Sequence, residues 1–217
     1  MRFPCLVLDH DDTVVNSTAV IHFPSFLAYL AQVRPGLSYT LNDYFRKNFD
    51  PGIIPLFKDE LGFTDEELEG EYQFWQNWVA TRVPEAYPGM REILERYKAR
   101  GGKIVVSHSV SDVIRRDYRE NGLPEPDLIF GWELPPEHRK PHVWPLEQIM
   151  AEFQLAPDQL LMLDDLKPGY DMCRAAGVPF AAAGWANDIP EIEGYMRRNC
   201  DYYFKTVAAF GNFLEQQ

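Results

Sequence analysis

The hydrophobic and polar positions of this chain alternate between two patterns along most of its length. Short apolar runs, of the kind that forms buried strands in parallel sheets, recur between stretches with helical spacing. One helical stretch begins at Pro88 and stops at Gly101. The alternation predicts an α/β fold, in which a Rossmann-like parallel sheet core is covered by helices on both faces. The predicted strands lie at residues 5–8, 103–107, 127–130, 159–163 and 179–183, with an edge strand at 200–204.

The alternation is interrupted once, between residues 17 and 87, where helical patterns replace the strand-like runs. We therefore expect a small helical domain of residues 17–87, called the insertion below, placed after the first strand. The remaining residues, 1–16 and 88–217, form the predicted core domain. Hinges are expected at the two junctions.

Two helix starts are predicted from residues that commonly cap helices. Thr64 and Glu67 fit the capping-box pattern, in which each side chain bonds the main chain of the other residue. Ser111 is predicted to cap a helix that runs to Gly122. The helix after Thr64 carries bulky side chains at helical spacing, which we expect to form the core of the insertion. They are Tyr72, Trp75 and Val79.

Charge and composition narrow the classes of function. The chain has 217 residues, of which 46% are hydrophobic, enough for a sizeable core. Its formal net charge of -12 disfavours nucleic acid or an anionic membrane as the main partner, because either would repel it.

Cys5, Cys173 and Cys200 are widely spaced and suggest neither a disulfide framework nor a zinc site. The sequence shows no signal peptide or membrane span, so we expect a soluble, cytoplasmic protein, whose oligomeric state the sequence does not indicate.

The first predicted strand ends in a cluster of like charges, in the segment CLVLDHDDT. Crowded carboxylates repel one another and burial adds a desolvation cost, so such a cluster requires a cation or a proton. The partner can be a metal ion, a basic side chain or water. Asp9 and Asp11 are two residues apart, which in an extended chain directs both side chains to the same side. Asp12 should point elsewhere.

Polar residues also follow other predicted strands. Ser107 and His108 come at the end of the second strand, and Asp164 and Asp165 at the end of the fourth. Lys140 precedes the helix that leads into the fourth strand. Because ligands bind beyond the carboxyl ends of parallel strands, we expect these side chains to converge with the acids of the first strand. Such carboxylates suit Mg2+, and a phosphate would be held by the metal, the lysine, the serine and free main-chain N–H groups.

In this order, the four groups resemble the four motifs of the haloacid dehalogenase (HAD) superfamily. The matching segments are DHDDT, KIVVS, HRKPH and LDD. A single D-x-D-x-T is a modest signal, whereas four ordered motifs make a strong one. The insertion resembles the helical cap of the phosphoglycolate phosphatase and β-phosphoglucomutase-like group. The resemblance covers essentially the whole core and implies a HAD-like phosphoric monoester hydrolase.

The resemblance also implies roles for individual residues. Asp9 would be the nucleophile that forms an aspartyl phosphate, and Asp11 the general acid and then the general base. Ser107 and Lys140 would hold the phosphoryl group, with His108 in the same phosphate-binding region. The metal ligands that it implies are Asp9, the main-chain carbonyl of Asp11, and Asp165.

The fourth motif departs from many relatives, in which another aspartate follows a few residues later. Here the corresponding positions are Gly169 and Tyr170. The choice between Asp164 and Asp165 as metal ligand therefore stays open, and Asp171 is a third candidate.

Together these features predict a Mg2+-dependent phosphatase that hydrolyses a small phosphorylated metabolite, such as a sugar phosphate or a phosphoglycolate-like acid. A β-phosphoglucomutase-like phosphomutase shares every core motif and is an alternative. A phosphoacceptor module of the receiver type fits less well, because receivers lack an inserted cap and carry the acceptor aspartate on the third strand. A binding protein without catalysis is a further alternative. The sequence does not name the substrate.

Overall fold

A six-stranded parallel sheet forms the centre of the molecule in a computed structural model that describes residues 1–217. In chain order the strands are β1 (Cys5–Asp9), β2 (Val15–Asn16), β3 (Glu85–Ala86), β4 (Lys103–Ser107), β5 (Leu128–Phe130), β6 (Leu160–Asp164), β7 (Phe180–Ala183) and β8 (Tyr202–Phe204). The sheet order is β5-β4-β1-β6-β7-β8, and every neighbouring pair is parallel. The predicted α/β class is confirmed, and the predicted strands match the observed ones to within two residues at each end.

Both faces of the sheet are buried, which explains why its strands read as continuous apolar runs. Because side chains alternate along a strand, β1 is shared between two hydrophobic clusters. Leu6 and Leu8 belong to a cluster of 22 buried residues, and Cys5 and Val7 belong to a cluster of 17. All of β1 is buried, so Asp9 ends the strand without leaving the protein interior.

Helices cover the sheet and make up most of the insertion. The capping box predicted at Thr64 is confirmed: its hydroxyl accepts the Glu67 N–H at 3.2 Å, and the Glu67 carboxylate accepts the Thr64 N–H at 2.9 Å.

None of the helices has both the length and the apolar composition required to cross a membrane. The α-helices are α1 (Phe23–Val33), α2 (Leu41–Phe49), α3 (Ile53–Pro55), α4 (Asp65–Ala80), α5 (Met90–Ala99), α6 (Ser111–Glu120), α7 (Trp144–Phe153), α8 (Lys167–Ala176), α9 (Pro190–Asn199) and α10 (Val207–Glu215).

The helix cap predicted at Ser111 is wrong. Helix α6 begins at Ser111, but Val110 occupies the N-cap position and makes no side-chain hydrogen bond there. The Ser111 hydroxyl instead donates to the Glu133 carboxylate, which also accepts the Ser111 N–H at 3.3 Å. The Glu133 carboxylate, which follows β5, thus takes the place of a cap from the adjacent sequence. The sequence around Ser111 does not indicate this distant contact.

The insertion is helical, as its pattern predicts, and contains a hydrophobic cluster of its own. It joins the core through an antiparallel ribbon that the pattern did not predict, in which β2 pairs with β3 and Val15 lies opposite Ala86. Strands of two residues are too short to give a recognisable period. The ribbon holds the two linkers side by side. The buried cluster consists of Phe26, Leu30, Tyr44, Leu56, Phe57, Leu61 and Phe63.

The three central strands bring the predicted site together. Strand β1 lies between β4 and β6, and all three run in the same direction, so their carboxyl ends meet at one edge of the sheet. Asp9 lies directly opposite Ser107 in the ladder, and Asp164 ends β6.

Candidate active site

A buried lysine joins two of the predicted acids. Lys140 Nζ lies 2.6 Å from Asp9 Oδ1 and 2.7 Å from Asp164 Oδ2. The Lys140 side chain is 3% exposed, and those of Asp9 and Asp164 are 5% and 0% exposed. Burial raises the pKa of Asp9 well above its usual range in spite of Lys140. Burial would lower the pKa of Lys140, but the two carboxylates outweigh it and raise that pKa. A basic side chain is therefore one partner of the crowded acids.

Asp165 completes a group of three acids with Asp9 and Asp164. One oxygen from each carboxylate lies within 4.8 Å of the others. Burial and the neighbouring acids raise the pKa of Asp165 well above its usual range. Both Asp164 oxygens are engaged, one by Lys140 and the other by a main-chain N–H two residues later, at 2.8 Å. Asp165 accepts one long hydrogen bond of 3.4 Å from Thr13, so it is the freer carboxylate.

This donor set fits a divalent cation of the magnesium type. All three groups offer carboxylate oxygens, which are the hard ligands that Mg2+ prefers. Three buried carboxylates face a single ammonium group, so a further cation would reduce their mutual repulsion. Asp9 and Asp165 could hold such an ion while Asp164 keeps Lys140 in place.

The carboxylate of Asp11 lies outside this group and contacts the insertion. Its Oδ1 is 2.9 Å from His22 Nε2, and His22 Nδ1 accepts a hydrogen bond from the Trp75 indole N–H, also at 2.9 Å. Burial alone would raise the pKa of Asp11, but His22, through its charge when the ring is protonated and through its hydrogen bond, holds that pKa below the usual value. Burial would lower the pKa of His22, but Asp11 raises it. The sequence pattern indicates neither His22 as a site residue nor this contact.

Ser107 and His108 both lie near the acids, as predicted. The Ser107 hydroxyl is buried and has no hydrogen-bond partner in the protein. His108 adopts a φ of 82°, and its ring packs edge-on against Trp132 with centroids 4.7 Å apart. Burial, with Lys140 nearby, lowers the pKa of His108 well below its usual value. A neutral histidine and a hydroxyl without a partner thus lie beside the lysine.

Asp12 turns the chain toward the insertion. It adopts a φ of 59°, and its carboxylate accepts the main-chain N–H groups of Ser17 and Thr18 at 3.3 and 3.1 Å. Burial raises the pKa of Asp12 to about 6. The third acid of the first motif is therefore engaged by the start of the insertion.

Gly169, one of the two positions at which the fourth motif departs from many relatives, packs tightly against Asp164. A Cβ atom on Gly169 would lie 2.0 Å from Asp164 Oδ2, so no larger residue fits there without moving that carboxylate. Asp171, the third metal candidate, pairs with Lys167 at 2.7 Å and does not belong to the acid group.

A cavity of about 820 Å³ lies between the insertion and this edge of the sheet. Tyr72 and Trp75, which we expected in the core of the insertion, line this cavity instead, whereas Val79 is buried. Glu71 lies in the same wall, and burial raises its pKa to about 7. Arg139 also lines the cavity, stacked over the Trp132 ring at 4.3 Å. The volume is that of a small-molecule site. On the core side the lining includes Asp9, Asp11, His108, Lys140 and Asp165.

A buried network connects the first motif to the end of α4. His10, which the sequence suggested to be a packing or loop residue, has Nε2 3.1 Å from the buried Asp117 carboxylate. Arg116 donates to that carboxylate at 2.7 and 2.9 Å. The same guanidinium donates to three main-chain carbonyls, at 2.6 to 2.8 Å. They belong to Val79, Ala80 and Arg82.

Comparison with known proteins agrees with this geometry. The family model for haloacid dehalogenase-like hydrolases matches residues 6–183. The pyrophosphatase PpaX of Bacillus thuringiensis (strain Al Hakam) is 25% identical over 190 residues, which is 85% of this chain and 85% of that protein. A solved structure from Bacteroides fragilis, described as a haloacid dehalogenase-like hydrolase, has a TM-score of 0.79 at 21% identity and covers 96% of this chain and 99% of its own. Another, described as a predicted phosphoglycolate phosphatase from Haemophilus somnus 129PT, has a TM-score of 0.71 at 21% identity and covers 100% of this chain and 98% of its own.

The match to the family model includes all four motifs and the strands that carry them. The structural likenesses extend over nearly the whole chain and support the same fold. The chain therefore belongs to the haloacid dehalogenase-like hydrolase family.

Proposed function

We propose that the protein is a Mg2+-dependent phosphatase that hydrolyses a small phosphorylated metabolite through an aspartyl phosphate on Asp9. The observation that carries this proposal is the environment of the Asp9 carboxylate, which is buried between Lys140 and Asp165 and lies opposite Ser107. It lines a cavity of about 820 Å³. A carboxylate held beside a buried cation and a free hydroxyl suits attack on a phosphoryl group.

The residues of the site have separate tasks in this proposal. Asp9 attacks phosphorus, and the bond from phosphorus to the ester oxygen breaks as the new bond forms. Lys140 and Ser107 donate to phosphoryl oxygens, and Lys140 reduces the repulsion between phosphate and Asp9. Asp11 protonates the leaving oxygen and later takes a proton from the water that releases phosphate. Mg2+, held by Asp9, Asp165 and the main-chain carbonyl of Asp11, would neutralise part of the phosphoryl charge.

The insertion acts as a cap in this proposal. Residues 17–87 form one domain, and residues 1–16 and 88–217 form the other. The separate hydrophobic cluster of the insertion and the cavity beneath it support this division. A closed cap would exclude bulk water from the aspartyl phosphate, and its cavity-lining side chains would select the substrate.

Two relatives suggest substrates to test. The names of PpaX and of the Haemophilus somnus protein refer to pyrophosphate and phosphoglycolate. The cavity has room for a small metabolite beyond its phosphate group. A panel should therefore contain pyrophosphate, phosphoglycolate and sugar phosphates. Formation of a sugar 6-phosphate from a sugar 1-phosphate, without release of phosphate, would identify a phosphomutase instead.

Release of inorganic phosphate from this panel tests the proposal. We expect release from at least one member with Mg2+ and none after chelation. Asp9→Asn should reduce release to background while the circular dichroism spectrum stays that of the wild type. Asp171→Asn is the matched control, because it removes a partly exposed carboxylate outside the acid group. Undiminished turnover by Asp9→Asn would rule out Asp9 as the nucleophile.

A further inference from the structure

Three side chains from different parts of the fold form a chain of hydrogen bonds that ends at Asp11. The Trp75 indole N–H, in α4, donates to His22 Nδ1 at 2.9 Å. His22 Nε2 lies 2.9 Å from Asp11 Oδ1. His22 ends the short helical turn Thr18–His22, which follows the first junction between core and insertion. Trp75 and His22 therefore belong to the insertion, and Asp11 belongs to the core.

The direction of these hydrogen bonds follows from the chemistry of the donors. An indole N–H can only donate, so the 2.9 Å contact with Trp75 requires an Nδ1 that accepts, which is found in the neutral form of His22 with no proton on Nδ1. The ring proton of the neutral imidazole then resides on Nε2, which faces Asp11. His22 consequently donates to Asp11 Oδ1 and leaves Asp11 Oδ2 free of this contact.

We propose that Trp75 and His22 are positioning residues that orient the Asp11 carboxylate for acid–base catalysis. This inference rests on the proposed function, because it assigns Asp11 that role. Trp75 holds Nδ1 of His22 as an acceptor and so orients the ring, and His22 fixes the carboxylate at Oδ1. Because both donors come from the insertion, Asp11 is oriented only while the insertion lies against the core.

Trp78 provides an internal comparison for Trp75. It lies one turn further along α4, and its indole N–H has no hydrogen-bond partner in the protein. Its ring stacks with Phe74 at 5.7 Å and lies under the Arg82 guanidinium at 3.8 Å. Replacing either tryptophan with phenylalanine removes an indole from the same helix. Only the change at Trp75 removes a hydrogen bond to His22.

The first test reads the histidine tautomer directly. Nitrogen-15 NMR of protein labelled at histidine reports which ring nitrogen of His22 carries the proton. We expect an unprotonated Nδ1 with the chemical shift of a hydrogen-bond acceptor in the wild type and in Trp78→Phe, and a shift toward that of an acceptor without a donor in Trp75→Phe. A proton on Nδ1 in the wild type, or an unchanged Nδ1 shift in Trp75→Phe, would overturn the proposal. This readout does not depend on enzymatic activity.

The second test compares esters with poor and good leaving groups. The value of kcat/KM reports the transfer to Asp9, in which an alkoxide needs protonation by Asp11 and p-nitrophenolate does not. We expect Trp75→Phe to lower kcat/KM for an alkyl phosphate about tenfold, and for p-nitrophenyl phosphate less than about twofold. Trp78→Phe should change neither value. Equal losses on both esters, or equal losses in the two variants, would show that Trp75 has only a packing role.

Two substitutions of His22 complete the test if Trp75→Phe folds poorly. The side-chain amide of glutamine can donate to Asp11 without help from Trp75, and alanine cannot. We therefore expect His22→Gln to keep most of the kcat/KM for the alkyl phosphate and His22→Ala to lose about tenfold. Equal loss in both variants would overturn the proposal. A wild type that releases phosphate from no ester would refute the proposed function instead, while the NMR result would still decide the hydrogen-bond chain.

Discussion

Lys140 stabilises the charged form of Asp9. Its ammonium group contacts Asp9 and Asp164 at the edge of the sheet, where all three side chains are almost fully buried. Burial favours the protonated form of a carboxyl group, and an adjacent cation favours the ionised form. In the proposed mechanism the nucleophilic aspartate must be ionised, so Lys140 would oppose the effect of burial on Asp9 as well as bind the phosphoryl group.

Gly169→Ala should disturb this arrangement through one added methyl group. The new Cβ would lie 2.0 Å from Asp164 Oδ2, so the carboxylate must move away from its hydrogen bond with Lys140. We expect the free energy of unfolding to fall by about 1–3 kcal/mol and phosphate release to fall with it. Denaturant unfolding and a phosphate assay measure the two effects.

Gly194→Ala is the matched control for this change. It lies in α9, where a Cβ would meet only the flexible end of Arg198, at 3.2 Å. Alanine is the better helix former by up to about 1 kcal/mol, so we expect no loss of stability. A Gly169→Ala protein as stable and active as the control would contradict the close packing against Asp164.

Glu71→Gln should reveal a pH-dependent cost of burying an acid in the cavity wall. Burial raises the pKa of Glu71 from 4.5 to about 7, so the folded protein keeps a proton that the unfolded chain releases. Stability from this proton is complete below about pH 4.5 and is lost as the pH rises through about 7. The variant should match the wild type near pH 4 and be more stable by about 2 kcal/mol near pH 8, less than the full shift implies because the side chain is partly exposed.

Denaturant unfolding at both pH values measures this difference. Glu66→Gln, which removes an exposed carboxylate from the same helix, is the matched control for the substitution itself. A Glu71→Gln protein that gains stability at low pH instead would contradict the raised pKa.

The secondary-structure elements of the insertion are held against the core at the end of α4. The Arg116 guanidinium, from α6, donates to three carbonyls at this end and to the buried carboxylate of Asp117. Asp117 in turn contacts His10, between the two aspartates of the first motif. Movement of α4 away from the core would therefore break contacts that extend to the loop after β1.

Arg116→Ala should loosen the insertion. The change leaves the Asp117 carboxylate, which is 1% exposed, without its cation, and we expect a loss of about 3 kcal/mol in the free energy of unfolding. Limited proteolysis should cut the two linkers faster. Arg115→Ala is the control, because Arg115 pairs with the exposed Asp112 and should contribute less than about 1 kcal/mol. Equal effects of the two changes would show that Arg116 does not anchor α4.

The central strands could be predicted from the sequence because β1, β6 and all of β4 except Lys103 are buried and therefore read as nearly continuous apolar runs. Convergence of Asp9, Ser107 and Asp164 was also predictable, because parallel strands bring their carboxyl ends to one edge. Contacts between side chains that are distant in the sequence could not be predicted in this way. His22 and Trp75 are 53 residues apart and leave no period in the sequence. Helical spacing predicts Tyr72 and Trp75 as core residues because it does not distinguish a side chain that faces a cavity from one that is packed.

At the scale of the whole molecule, the insertion and the core enclose the site between them. The chain carries a formal net charge of -12, and the rim of the sheet adds four acids to the cavity wall. An anionic substrate must therefore be attracted by local positive charge, which Lys140 and Arg139 supply on the core side. A bound magnesium ion would add to this local positive charge.

The most direct test of this account is to trap the phosphoryl group on the enzyme. Asp11→Asn should transfer phosphate from p-nitrophenyl phosphate, whose leaving group needs no acid, but should hydrolyse the intermediate slowly because the base is missing. After acid quenching with Mg2+ present, peptide mass spectrometry should find one phosphoryl group on the peptide that contains Asp9, and none when Asp9→Asn is added. A phosphoryl group on Ser107, or on no residue at all, would contradict the central claim.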